Sequence, residues 1–311
     1  MSPRGGSIVV VGTGAAAMQL VQAARASGLA VADAPVTPHE FINQQASATQ
    51  VLVAVRELNR EAVVDLAWQC IGIHVPLWLD VTEMPALTNL LAVQRLGEHL
   101  CIVLRPPRAT SVVRRTIDLL VAGVALLVLV PLLMTIAVAV KLSSPGPALH
   151  RAEVVGEDGR HFTWYKFRTM RVAQDDETWR RERFAEFVRG GRDIATKIID
   201  DARITRVGRI LRRHSLDELP QLFSVLTGDM TLIGPRPCLV YEYELLRPWH
   251  RRRFAVRPGL TGLWQVSGRG QVHADEMAFL DICYALARTW RSDLRVLWET
   301  VKVVFTGRGA A

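Results

Sequence analysis

Cysteine is scarce in this chain of 311 residues. The four cysteines, Cys70, Cys101, Cys238 and Cys283, are scattered, and no two of them form a Cys-x-x-Cys pair. A structural zinc site needs clustered thiolates or histidines, and a disulfide framework needs cysteines that can pair. The sequence therefore predicts neither, and its cysteines are typical of a protein in a reducing cytosol.

Other signals are missing as well. The N-terminal apolar run Ile8–Val11 is too short for the hydrophobic region of a signal peptide. Zinc-finger, basic-zipper and RNA-recognition signatures are absent, as are repeats and low-complexity tracts. The net charge of +8 and the pI of about 9.8 suit nucleic acid, anionic lipid or phosphorylated substrates. Because no nucleic-acid signature is present, we expect lipid and phosphate as partners and no nucleic acid.

The length allows two modest domains, which we place at 1–108 and 109–311. The first alternates short apolar runs with helical patterns, which indicates an α/β domain with a parallel sheet. Its expected strands are 8–11, 29–32, 51–55, 73–78 and 101–104.

A glycine pattern follows the first of these strands. Gly12-x-Gly14-x-x-Ala17, with Asp33 further on, is typical of dinucleotide-binding folds. It predicts a Rossmann-like domain with a candidate nucleotide site at Gly12, Gly14 and Asp33. The alternative is a Rossmann-like domain without a working site, retained for dimerisation or regulation. We favour the alternative, because the domain is short and offers no catalytic partner.

Residues 119–140 carry no charge. As a straight helix this run would be about 33 Å long, enough to cross a bilayer. Pro131 lies in the middle of the run, where it removes a backbone donor and kinks a helix. Basic residues flank both ends, namely Arg108, Arg114 and Arg115 before the run and Lys141, Arg151 and Arg160 after it. The positive-inside rule then places both ends in the cytoplasm.

Both facts fit a re-entrant membrane helix at about residues 112–142, which enters, breaks at Pro131 and returns to the same face. From the residues alone, one kinked transmembrane helix or a buried core helix remains an equal alternative. A second apolar stripe near the C-terminus is expected in the core rather than at the membrane interface, and comprises Leu294, Leu297, Trp298, Val301 and Phe305.

An acidic pair, Asp217-Glu218, follows Arg212 and Arg213. The pair is expected at a helix N-terminus, either in a Ser-x-x-Glu capping box or one position later as Pro220 suggests. The helix dipole stabilises carboxylates there, so an ionised Asp can attack phosphorus and a neighbouring Glu can hold Mg²⁺. The pair alone is a weak signal, since a capping box explains it equally well.

Cations follow in three further motifs. In Gly-Pro-Arg-Pro at 234–237, two prolines pre-set the direction of Arg236, which suits a phosphate ligand or else a rigid surface turn. Lys166 and Arg168 alternate with apolar residues, so we expect both on one face of a strand. The glycine-rich stretch 257–269 can cradle phosphates with its backbone N–H groups, or can simply be a turn.

These motifs stand together in one order. The apolar segment with its mid-run proline is followed by YKFRTM, LRRHSLDELPQL, GDMTLIGPRP and RPGLTGLWQVSGR. The set resembles the bacterial sugar transferases, the monotopic polyprenyl-phosphate phosphoglycosyl transferases, over residues 112–311. The resemblance implies transfer of a sugar-1-phosphate from a UDP-sugar to undecaprenyl phosphate, with release of UMP. It also implies Mg²⁺ and a covalent phosphosugar–aspartate intermediate, and it favours the re-entrant helix.

The family's roles carry over motif by motif. The resemblance implies that Asp217 is the nucleophile, and that Glu218 holds the metal beside it. The residues that match the phosphate and nucleotide contacts are Lys166, Arg168, Arg212, Arg236 and Arg269. One departure is Val130, because many members have a serine before the helix-breaking proline. The missing hydroxyl would remove one partner for the freed backbone, which puts the sharpness of the kink in question.

The resemblance also implies a setting. It predicts a helix-rich α/β catalytic domain, monotopic in the bacterial inner (cytoplasmic) membrane and facing the cytoplasm, that initiates exopolysaccharide, O-antigen, capsule or glycoconjugate synthesis. Membrane lipid, downstream glycosyltransferases and a second copy in a homodimer are expected partners. Glucose, galactose and amino sugars fit the motifs equally. Two other hypotheses remain, an NAD-dependent nucleotide-sugar enzyme using the first 105 residues and a membrane-anchored regulatory nucleotide-binding module.

Overall fold

The computed structural model describes residues 8–32, 34–44, 48–107, 111–171, 177–190, 203–268 and 272–306. The chain divides into two compact units. The first unit comprises Met1–Pro107 with Ile282–Asp293, and the second comprises Arg108–Asp281 with Leu294–Ala311. The grouping of 282–293 with the first unit differs from the division at residue 108 expected from sequence, because composition and pattern cannot show a late segment returning to an earlier unit.

The first unit contains a five-stranded sheet in the order β1-β2-β3-β5-β4. Its strands are β1 (Ile8–Val11), β2 (Gln50–Ala54), β3 (Leu77–Asp80), β4 (Gln94–Leu96) and β5 (His99–Leu104). Neighbours β1, β2 and β3 are parallel, whereas β5 is antiparallel to β3 and to β4. The predicted all-parallel sheet is therefore wrong in its last part. There, a tight turn at Gly97 (φ 60°) joins β4 and β5 as a hairpin.

Helices of the first unit are α1 (Gly14–Ala26), α2 (Pro38–Gln44), α3 (Arg60–Gly72) and α4 (Pro85–Leu90). α1 buries one face, including Leu20 and Ala24, in a cluster with Val10 of β1 and Leu52 of β2. The expected strand at 29–32 forms only an isolated bridge, between Val31 and Ile8.

The second unit begins with one long helix, α5 (Val112–Ser143). After it come the strands β6 (Leu149–Val155), β7 (His161–Phe167), β8 (Thr231–Ile233), β9 (Cys238–Leu239) and β10 (Gly259–Thr261). The helices wholly within this unit are α6 (Glu177–Val188), α7 (Arg206–Arg213), α8 (Leu222–Thr227), α9 (Val240–Leu245), α10 (Pro248–Arg251) and α11 (Leu263–Gly268). Two further helices, α12 (Ala274–Ala287) and α13 (Trp290–Thr306), lie partly in this unit and partly in the segment 282–293 of the first. Strands β7, β6 and β9 form an antiparallel sheet, and β10 pairs in parallel with β8. The unit is thus a helix-rich α/β arrangement.

Helix α5 is long and apolar enough to cross a membrane, since it has 32 residues and contains an 18-residue stretch with a mean hydropathy of 2.8. The helix continues through Pro131 without interruption, so the break that the sequence predicted at that proline is absent from α5. The hydroxyl of Thr135 donates to the Pro131 carbonyl at 2.9 Å, a bond that slightly bends helices. Leu127 and Val128, near its middle, are 76% and 69% exposed.

The first turns of α5 are attached to the second unit by polar groups. Arg115 donates to the carbonyls of Val225 and Leu226 at the end of α8, at 2.6 and 3.0 Å. A cation satisfies unpaired helix C-terminal carbonyls in this way. Asp118, which is buried, accepts from the hydroxyl of Thr231 at 2.6 Å and from the N–H of Leu232 at 3.2 Å, both in β8.

The last turns of α5 are attached by apolar packing. Ile136 and Val140 form a buried cluster with Phe167 of β7 and Leu211 of α7. Both ends of the long helix therefore contact the same compact unit, although its middle is exposed.

Candidate active site

The acidic pair lies just after α7, in a 3-10 helix at Leu216–Gln221. Ser215 adopts a left-handed conformation (φ 53°), which turns the chain sharply between the two helices. Its side chain does not cap the helix, so the capping box considered for this position does not form. Leu216 packs against the α5–α7 cluster, and the next residue, Asp217, is only 8% exposed. The local fold thus holds a nearly buried carboxylate close to the end of α5.

Glu218 is paired with the arginine of the Gly-Pro-Arg-Pro turn. Nη1 of Arg236 donates to Oε1 of Glu218 at 2.9 Å, and both side chains are largely buried. Charge-assisted bonds of this kind are stronger than neutral ones. The structure therefore joins two motifs that are 18 residues apart in sequence.

Lys166, on β7, lies with this pair. Its ammonium is 3.7 Å from the ring centroid of Trp164, and the guanidinium carbon of Arg236 is 5.1 Å from the same centroid. Burial, followed by the positive charge of Arg236, lowers the pKa of Lys166 to about 8, although Glu218 and Asp217 act in the opposite direction. Four of the residues expected in the site thus act on one another.

Arg212, at the end of α7, belongs to the same group, because its positive charge also contributes to lowering the pKa of Lys166. Cations and carboxylates are intermingled here, so each charge is partly neutralised before any substrate binds. The group has three cations and two carboxylates, so a negatively charged phosphate would complement the remaining positive charge.

The contacts of Arg168 in the structure are with backbone carbonyls, whereas the sequence predicted a contact with substrate phosphate. Its buried guanidinium donates to the carbonyls of Val140 at 3.3 Å and Ser144 at 2.6 Å, and to that of Pro145. These carbonyls lie at the C-terminal end of α5, where a helix leaves acceptors unpaired. Arg168 therefore caps the apolar helix.

The glycine-rich stretch serves close packing of the backbone. Gly234 donates its N–H to Thr261, and Gly259 donates its N–H to Pro235, both at 2.9 Å. A Cβ on Gly259 would lie 2.0 Å from the nitrogen of Gly234, and one on Gly262 would lie 2.4 Å from its oxygen. These glycines are explained by the approach of β10 to β8 and not by a phosphate cradle. Arg269 lies outside the described residues.

Several charged residues near the site were missed from the sequence. Arg253 donates to the carbonyl of Arg236, and its Nε is 3.4 Å from Oδ2 of Asp281. Burial raises the pKa of Asp281 to about 7, with Arg253 opposing the effect. Burial also raises the pKa of Glu242, which accepts from the N–H of Leu239 at 2.9 Å. A charged residue inside an apolar run, such as Asp281 in FLDICYALA, was the available signal.

Of the candidate nucleotide site of the first unit, the structure describes Gly12 and Gly14. Gly12 donates its N–H to Val36 at 3.0 Å, and a Cβ there would lie 2.9 Å from that of Ala54, so its glycine identity is explained by packing. Gly14 begins α1 with φ 65°. Asp33 lies outside the described residues. A cleft in this unit is lined instead by other residues, among them Asp80 and its hydrogen-bond partner His99.

The stripe on α13 is exposed, contrary to the expectation of a core position. Leu294, Trp298 and Phe305 are 67%, 62% and 80% exposed. The helix is held at its other side, where His214 bonds the carbonyl of Val304 at 2.9 Å.

A divalent metal is compatible with the acidic pair. Among the described residues, no group of three or more His, Cys, Asp or Glu side chains could hold a metal ion. Mg²⁺ does not require such a group, because it commonly binds one or two carboxylates and completes its shell with water and substrate phosphates. The adjacent carboxylates of Asp217 and Glu218 supply oxygen ligands of that kind, so the residues present fit the ion.

Together, the fold and the site describe an α/β protein with one long apolar helix and a charged site whose cations suit phosphate. The family model of the bacterial sugar transferases matches residues 109–307. The chain belongs to this family.

Relatives support the same assignment. The galactosyl transferase CpsE of Streptococcus agalactiae is 40% identical over 195 residues, covering 62% of this chain and 41% of that protein. A UDP-N-acetylgalactosamine-undecaprenyl-phosphate N-acetylgalactosaminephosphotransferase of Aeromonas hydrophila is 33% identical, covering 78% and 55%. A UDP-glucose:undecaprenyl-phosphate glucose-1-phosphate transferase of Caulobacter vibrioides is 39% identical, covering 66% and 76%. The chain spans about half the length of the first two.

Proposed function

We propose that this protein transfers a sugar-1-phosphate from a UDP-sugar to undecaprenyl phosphate and releases UMP. The observation that carries the proposal is the pair of buried Asp217 and largely buried Glu218, held within one group of charges with Arg236 and Lys166. A carboxylate beside phosphate-binding cations suits phosphoryl transfer. The names of the Aeromonas and Caulobacter relatives supply the donor and acceptor classes.

Asp217 acts as the nucleophile in two balanced steps. In the first, an oxygen of its carboxylate forms a bond to the β-phosphorus of the UDP-sugar, the bond from that phosphorus to the bridging oxygen breaks, and UMP leaves with the electron pair. In the second, an oxygen of undecaprenyl phosphate attacks the same phosphorus and the bond to Asp217 breaks. The products are polyprenyl-diphosphate-sugar and the regenerated aspartate.

The cations bind and orient the phosphates. Arg236 offers a planar fork and Lys166 a point charge, and both offset the negative charge of the transferring group. Arg212 adds a third positive charge. Asp217 and Glu218 would hold Mg²⁺, which supplies further neutralisation of phosphate charge when bound. The ion pair between Glu218 and Arg236 keeps both side chains in place before the donor binds.

The protein acts at the cytoplasmic face of the bacterial inner membrane, with α5 as a re-entrant, monotopic anchor in this proposal, although the helix is continuous through Pro131 in the structure. Supporting this, both ends of α5 contact the same unit, and basic residues flank both ends of its apolar run. The exposed stripe on α13 suits the membrane interface, with Trp298 as an interfacial aromatic.

The product would start the assembly of an exopolysaccharide, O-antigen, capsule or glycoconjugate, to be extended by downstream glycosyltransferases. A relative of this chain is named as an exopolysaccharide production protein. In this proposal the first unit has a regulatory role and the protein forms a homodimer.

The test is UMP release by the purified protein, supplied with UDP-sugars and undecaprenyl phosphate. We expect release to require both substrates in steady state, and Asp217→Asn to abolish it, because the amide is nearly isosteric but cannot attack phosphorus. With UDP-sugar alone, wild type should gain a covalent mass equal to a phosphosugar, and Asp217→Asn should not. Near-normal turnover in a folded Asp217→Asn protein would refute the assignment of the nucleophile.

A further inference from the structure

The indole ring of Trp164 contacts two of the cations that the proposed reaction uses. Nζ of Lys166 is 3.7 Å from the ring centroid, and Cζ of Arg236 is 5.1 Å from it. Trp164 is 4% exposed, and its indole N–H has no hydrogen-bond partner among the residues the structure describes. The ring is thus fixed by packing, and its polar interaction is with the two cations.

This contact counteracts an electrostatic cost. Lys166 and Arg236 carry like charges in a largely buried place, and the positive charge of Arg236 disfavours the charged form of Lys166. An aromatic face attracts cations, most strongly for tryptophan and for desolvated charges. The ring therefore offsets part of the repulsion and limits the rotamers of two long side chains that would otherwise separate.

The two cations differ in what they offer a ligand. Arg236 is also held by Glu218 and by the close packing of its turn, so its fork has a defined direction. Lys166 is a point charge on a flexible stem. Its ammonium contacts the ring of Trp164, which lies two residues earlier on the same strand. Without the ring, the position of Lys166 relative to Arg236 would be poorly fixed.

We propose that Trp164 is a positioning residue that holds Lys166 and Arg236 side by side as a binding surface for the diphosphate of the donor nucleotide. The identity of that ligand rests on the proposed function. A diphosphate carries negative charge on two linked phosphates, which two cations on one ring can neutralise together.

The experiment compares Trp164→Leu and Trp164→Phe with wild type. UDP binding is measured by calorimetry, which needs no turnover, and kcat and KM for the UDP-sugar are measured across pH. The matched control is Tyr165→Leu, since Tyr165 is the next residue on β7 and points to the opposite face of the strand. Thermal unfolding of each variant identifies any that do not fold.

We expect Trp164→Leu to weaken UDP binding by about 10-fold, the loss of two cation–π contacts, with Trp164→Phe intermediate. The alkaline limb of UDP binding should move to lower pH in Trp164→Leu, because the ring no longer favours the charged form of Lys166. A merely structural role would leave that limb in place. Tyr165→Leu should match wild type in both measurements.

The inference is overturned if folded Trp164→Leu binds UDP with wild-type affinity and an unchanged limb. If Trp164→Leu does not fold, Trp164→Phe decides in the same way. Wild type that binds no UDP also overturns it. The proposed function fails separately, when wild type binds UDP with the expected dependence on Trp164 but releases no UMP from any UDP-sugar.

Discussion

Asp118 links the apolar helix to the strand that leads into the Arg236 turn, and its removal gives a defined prediction. Its carboxylate accepts from the Thr231 hydroxyl at 2.6 Å and from the Leu232 N–H at 3.2 Å, and it is 6% exposed. Asp118→Ala leaves two buried donors unpaired, and each such donor costs about 1–3 kcal/mol. We therefore expect the free energy of unfolding to fall by about 2–6 kcal/mol.

For a unit of this size, 1 kcal/mol lowers the melting temperature by about 2–4 °C. Asp118→Ala should thus melt about 4–24 °C below wild type, as followed by near-ultraviolet circular dichroism in lipid nanodiscs. Asp118→Asn keeps one acceptor and should lie between the two. The control is Leu120→Ala, on the same helix but exposed, which should change little.

A second readout is UMP release, because β8 ends at Ile233 and the Arg236 turn begins at the next residue. If the strand shifts when Asp118 is removed, catalytic efficiency should fall along with stability. A melting temperature for Asp118→Ala within about 1 °C of wild type would refute the reasoning, since two unpaired buried donors cannot be that cheap.

Three shorter predictions concern the cations and the helix. Arg236→Ala should lower kcat/KM by about 100-fold or more and Arg236→Lys should restore it only in part, because a point charge cannot replace the fork; full activity in Arg236→Ala would make the turn merely structural. Since the pKa of Lys166 is about 8, kcat/KM should fall as pH rises through that value, because Lys166 then loses its positive charge. Lys166→Arg should abolish this fall, and a fall that is unchanged in Lys166→Arg would show that Lys166 is not its cause. In intact cells, cysteines placed near Arg114 and near His150 should both resist an impermeant thiol reagent, and labelling of either from outside would contradict the re-entrant helix.

The residues of the site were largely predictable, because they lie in motifs with a local chemical reason. Asp217, Glu218 and Arg236 were identified as a carboxylate pair and a proline-framed arginine, and the structure brings them together. Arg168 shows the limit of such reasoning. Strand alternation placed it on the same face as Lys166, but only tertiary structure shows that the face also meets the unpaired carbonyls ending α5.

The fold was predicted less completely. Strands β1 and β2 were located within one residue, because continuous apolar runs mark buried strands. The direction of β5 was wrong, since alternating strands and helices predict parallel pairing and only the short turn at Gly97 reveals the hairpin. The exposure of the α13 stripe could not be predicted, because an amphipathic pattern states that one face is apolar and not what covers it.

The packing around Arg236 explains why the Gly-Pro-Arg-Pro motif and the glycine-rich stretch occur in the same chain. The turn that carries Arg236 is fixed by the two prolines, by the approach of Gly259 and Gly262 to Gly234, and by Arg253, which donates to the Arg236 carbonyl. Any side chain at those glycines would push the backbones apart and redirect the guanidinium. Strand β10, which contains no charged residue, therefore has an indirect effect on the site. It pairs with β8 and so holds in place the turn that carries Arg236. Arg236 therefore contacts Glu218 and the ring of Trp164 before a phosphate binds. Its guanidinium does not need to reorganise on binding, and charge that is preorganised in this way stabilises a reacting phosphate most effectively.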